Sequence, residues 1–60
     1  MSLFIFLDEQ EHTIAMRHSV QEADRFERHQ RQQEPEKTFL RLEIAGATLV
    51  RSVVVKPEPA

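Results

Sequence analysis

Residues 8–22 read DEQEHTIAMRHSVQE, and two structures compete for them. If Asp8 caps a helix with Glu11 three positions on, that helix runs without a break through the segment. Met16 then joins its apolar side, but Ile14 points to solvent. If DEQE is instead a turn, residues 13–17 form a strand, with Ile14 and Met16 alternating against Thr13, Ala15 and Arg17. The strand reading is preferred because it gives both large apolar residues one face; the helix over residues 9–18 stays open as the alternative. A new helix then starts at Ser19, where Ser19-Val20-Gln21-Glu22 fits the capping box.

Outward from this stretch the elements follow. Residues 3–7, LFIFL, are an unbroken apolar run of strand length closed by Asp8. The helix from Ser19 passes through good helix formers and stops at Pro35, which disfavours helical geometry at Glu34. At 100° per residue it gathers Val20, Ala23 and Phe26 on one side, with Glu27 and Gln30 among them, a thin apolar stripe. After the linker Glu34-Pro35-Glu36-Lys37, the runs TFLRLEIA and ATLVRSVVV form two strands around a turn holding Gly46, the only glycine. Simple parity puts Leu40, Leu42 and Ile44 on one face with Leu49, Val53 and Val55. The other face carries Phe39, Arg41, Glu43, Val50, Ser52 and Val54.

The layout is therefore α+β, β-β-α-β-β: one domain over residues 1–55, a small antiparallel sheet with one helix packed on one face, and a frayed tail over 56–60. Two strands, LFIFL and SVVV, are apolar on both faces, whereas one helix with three modest apolar residues covers only one. The second face needs a cover, and a homodimer or a protein partner is expected. Sixty residues without a cysteine point the same way, because a chain this short hides little of its surface and has no disulfide to support it.

Composition narrows the function classes. Eight Lys and Arg against ten Asp and Glu give a net charge of −2, unlike most domains that live on phosphate. The stretch RFERHQRQQE, residues 25–34, sets Arg25, Arg28 and His29 on the side opposite Val20 and Ala23. Yet Asp24 stands four residues before Arg28 and Glu27 four before Arg31, the favourable order for intrahelical pairs. Three arginines face five acids between residues 19 and 36, so the strip reads as a solvated face or as part of a protein interface. His12, His18 and His29 match no metal-ligand spacing. No serine has a reason to be an activated nucleophile, and the carboxylates of the 8–11 turn sit in water, where nothing raises a pKa. No metal, cofactor or catalytic residue is expected.

The expected function is a non-catalytic protein-protein interaction module, a small dimeric adaptor or inhibitor of the compact sort that phages and mobile elements encode, acting by covering a partner's surface. Its partner-binding residues are expected to be Arg25, Arg28 and His29 on the helix and Phe39, Arg41, Glu43, Val50 and Val54 on the sheet, an apolar centre with a charged rim. The alternative is a dimeric nucleic-acid-binding regulator using Arg17, Arg25, Arg28, Arg41 and Arg51. The short start SLFIFL lacks a basic segment before it and runs into acidic residues, which fits neither an export signal nor a membrane span, so a cytoplasmic setting is expected.

Overall fold

A computed structural model describes residues 2–57. Strands β1 (Ser2–Leu7) and β2 (Thr13–Arg17) precede helix α1 (Val20–Gln33), and β3 (Phe39–Ala45) and β4 (Thr48–Val55) follow it. All pairings are antiparallel and the spatial order is β2-β1-β3-β4. The fold is α+β in the expected β-β-α-β-β order. Of the expected tail, Lys56 and Pro57 lie past the end of β4, and 58–60 fall outside the described residues.

The deciding stretch is a turn and a strand. Asp8 is no helix cap: its Oδ1 accepts the N–H groups of Gln10 at 2.9 Å and His12 at 2.8 Å. Its own N–H donates to the His12 carbonyl at 3.0 Å. This side-chain turn reverses the chain, with Glu11 at φ 66°, a conformation that aspartate and its turn geometry impose on a residue that rarely adopts it. The helix alternative over residues 9–18 fails because Asp8 satisfies those N–H groups locally, which frees Thr13–Arg17 to pair with β1.

The His12 N–H, above all, holds the Asp8 carboxyl below the usual carboxylate range, against an opposing loss of hydration and with help from the Gln10 N–H. Lys37, 2.9 Å from Glu34, holds that carboxyl down as well, and Glu34 in turn holds Lys37 up. A carboxyl whose folded pKa is depressed stabilises the fold above its unfolded pKa and loses that contribution as pH falls through the folded value; the lysine contribution is lost as pH rises through its raised value. The expected melting-temperature profile is a plateau with an acid limb below the ordinary carboxylate range and an alkaline limb above the ordinary lysine range. Melting followed by circular dichroism should show Asp8→Asn flattening part of the acid limb. An unchanged limb would mean that the Asp8 turn contributes nothing to folding.

Helix α1 begins as its cap requires: the Ser19 Oγ accepts the Glu22 N–H at 3.2 Å, and the Glu34 N–H closes the far end on the Gln30 carbonyl at 2.9 Å. The helix lies over one face of the sheet, closest to β2. Between helix and sheet sit the five buried apolar residues, Ala23 of the helix and Phe4, Phe6, Phe39 and Val55 of the strands, with Ala15 and Phe26 packed against them. The Phe6 ring meets Phe26 at 4.6 Å and Phe39 at 6.1 Å between centroids, both tilted. Val20 does not join the core; it is 56% exposed.

The β3-β4 hairpin departs from simple parity. Ala45 pairs with Thr48 around Gly46-Ala47, and only Gly46 has positive φ, 63°, as a hairpin turn with glycine at its first loop position requires. Ile44 then faces Leu49, but Glu43 faces Arg51, so Val50 is an extra residue in β4. A bulge of one residue shifts everything beyond it to the other face. Val53 and Val55 thus leave the face of Leu40, Leu42 and Ile44, while Ser52 and Val54 join it. The expected grouping of Phe39, Arg41 and Glu43 with Val50 and Val54 is thereby split. The physical reason is Arg51: in the unbulged register this charge would sit beside Leu42 on an otherwise apolar face, whereas the bulge sets it opposite Glu43.

Candidate interaction surface

The face of the sheet turned away from α1 is assembled in rows across the strands. Met16, Ile5, Leu42 and Ser52 are successive register partners. Leu7, Leu40 and Val54 form a second row, and Leu3, Ile44 and Leu49 a third. Val50 is the extra residue of the β4 bulge, between the first and third rows, whereas Ile14, the extra residue of the β2 bulge, lines a cleft with Gln30, Glu34 and Phe39 on the helix side. Ser52 and the corner residue Thr13 are the polar members; no position on the face carries a charge. None of these side chains is buried. Met16 is 49% exposed, and Leu49, Val50 and Val54 are each more than half exposed. Strand spacing and rise make this a surface of roughly 19 by 20 Å in projection. A contiguous apolar surface of that extent is as large as the largest patch on an ordinary monomer, and such patches are often functional.

The helix-covered face is different in kind. Arg41 projects there from β3, and its Nη1 donates to Asp24 Oδ1 at 2.7 Å and Glu27 Oε1 at 3.1 Å. Its guanidinium also stands over the rings of Phe4 and Phe6, at 5.2 and 5.9 Å from their centroids. Partial burial pulls the Arg41 pKa down, but the hydrogen bonds to the two carboxylates outweigh it and leave the pKa raised, so Arg41 is a cation wherever the protein is folded. Asp24 and Glu27 both reach across to Arg41 on β3, because a strand arginine at 16% side-chain exposure is less hydrated than a surface one. Arg17 stacks over Phe26 at 5.0 Å.

The expected partner-binding residues are therefore distributed over three places. Val54 lies on the open face, and Val50 is the unpaired residue of the β4 bulge, 55% exposed. Phe39 is buried in the core at 4% exposure, Arg41 ties β3 to the helix, and Glu43 sits opposite Arg51 on the covered side. Arg25, Arg28 and His29 are exposed on α1. What parity missed is that Leu3, Ile5, Leu7, Met16, Leu40, Leu42, Ile44 and Leu49 share their bare surface with Val54. The signal that could have revealed the shift is the single charge in TLVRSVVV.

A cleft of about 560 Å³ runs between the C-terminal half of α1 and the end of β4, lined by Arg28, Arg31, Lys37 and Lys56 with Asp24 and Glu27. It is open and polar, unlike the enclosed apolar pockets that hold small ligands, and Lys37 is already engaged by Glu34. Among the described residues no three His, Asp or Glu side chains converge as metal ligands would, and no helix is long and apolar enough to cross a membrane. Compared with known protein families, curated proteins and solved structures, the chain matches none.

Proposed function

We propose that this chain is a non-catalytic protein-protein interaction module of the adaptor or inhibitor kind, whose open sheet face is its association surface; a cytoplasmic setting goes with this reading. The observation that supports it is the uncharged apolar surface centred on Ile5 and Leu42, with nothing of the described chain lying over it. Burying such a surface is the main favourable term in protein association. The nucleic-acid alternative loses support from the same geometry. Of its five arginines, Arg41 is held by two carboxylates and Arg17 by a ring, leaving Arg25, Arg28 and Arg51 without a common positive strip against a net charge of −2.

The absence of cysteine makes a direct test simple. A single cysteine at Ser52→Cys reports on the open face and one at Arg28→Cys on the helix. Under association, a water-soluble thiol reagent modifies the Ser52→Cys protein at least about tenfold more slowly than the Arg28→Cys protein. Equal rates at every protein concentration, with and without extract of the native host, would end the proposal.

A further inference from the structure

Resting on that reading of the open face, we infer that its occupant is a second copy of this chain, packed sheet against sheet about a two-fold axis so that the Ile5 and Leu42 rows of the two copies meet. The first reason is charge. A two-fold contact sets a patch against itself, so any net charge near the axis meets its like. This face carries none, while every charged side chain of β1 to β4 lies on the helix side: Arg17, Arg41, Glu43 and Arg51.

The second reason is area. A corrugated surface of the extent given above exposes roughly 500 Å². Two such faces together reach about 1,000 Å², the least that a specific interface needs. The third reason is need: five buried residues form the core, and a second sheet about 10 Å away would cover the bare apolar side chains as a sandwich does.

The resulting assembly has four layers, helix, sheet, sheet and helix. Both copies of α1 are on the outside, and Arg25, Arg28 and His29 are presented at the two poles to any further protein. The open face is then structural, and the helix strip is what remains for a heterologous contact.

Sedimentation of the untagged chain between ~1 and ~100 µM tests the inference. The expected result is a dimer, with Met16→Glu and Val54→Glu each raising its dissociation constant at least about a hundredfold, because each places an unpaired carboxylate in the buried contact. Both positions are half exposed on the outer strands, so their circular dichroism should match the parent; Arg28→Glu should leave the dimer intact. A monomer throughout the range overturns the inference. So does a dimer indifferent to both glutamates, since its contact then lies at a strand edge or on the helix. A monomer in which Ser52→Cys becomes protected only when host extract is added overturns self-association yet leaves the interaction reading standing; a monomer whose cysteine is never protected removes both.

Discussion

Phe6→Ala is expected to cost about 3–5 kcal/mol, the range for deleting a fully buried aromatic side chain, which in a chain of this size is comparable with the whole stability. Phe6 has 0% exposure and sits in β1, one of the two central strands, where its ring is met by Phe26 from the helix and Phe39 from β3. Through it the helix and both central strands touch. Removing it leaves a cavity that Ala23 and Ala15, the small residues nearby in the core, are too short to fill. Urea unfolding followed by circular dichroism at fixed protein concentration should find the Phe6→Ala chain largely unfolded in buffer, with Phe6→Leu retaining the fold at a smaller loss. A loss below about 1 kcal/mol would mean that the core does not close over this ring.

Arg41→Ala is expected to cost about 1–3 kcal/mol, through folding and not only through association. Its guanidinium joins β3 to α1 through Asp24 and Glu27 and roofs the Phe4 ring. The Asp24 side chain is 56% exposed, so solvent screens that arm, and much of the expected loss comes from the stem and plane of Arg41 leaving the aromatic rings. Arg41→Lys should recover only part of it, since an ammonium offers neither the planar fork nor the stacking surface. Raising the salt to ~1 M should narrow the gap between parent and variant, because the ion-pair share is screened while the packing share is not. A salt-independent gap would assign the whole effect to packing; no destabilisation at all would mean that Arg41 is free to serve as the partner contact the sequence implies.

The open face was only half legible in the sequence. LFIFL announces a strand that is apolar on both sides, and a helix with Val20, Ala23 and Phe26 as its stripe can cover one of them. The existence of an uncovered face therefore follows from the residues alone. Its membership does not. Val53 and Val55 are chemically interchangeable with Val50 and Val54, so alternation sorts them correctly only if the strand has no irregularity, and Val50 is one. Likewise Arg25, Arg28 and Arg41 look equivalent as letters, yet only Arg41 stands on the strand that Asp24 and Glu27 overhang. Phe39 reads as the centre of a surface patch until Val55 arrives opposite it and closes the core.

Local chemistry determined the elements. Asp8 with its two accepted N–H groups, the Ser19 cap, Pro35 and Gly46 each act within a few residues, where covalent connection holds the partners together and the sequence carries the whole cause. Tertiary structure alone decided which side of β4 faces the helix and which strand arginine the helix carboxylates reach. Those choices compare the cost of a charge on an apolar face with that of an extra residue in a strand, or one guanidinium's hydration with another's. Such energies exist only once β1, β3, β4 and α1 stand next to one another.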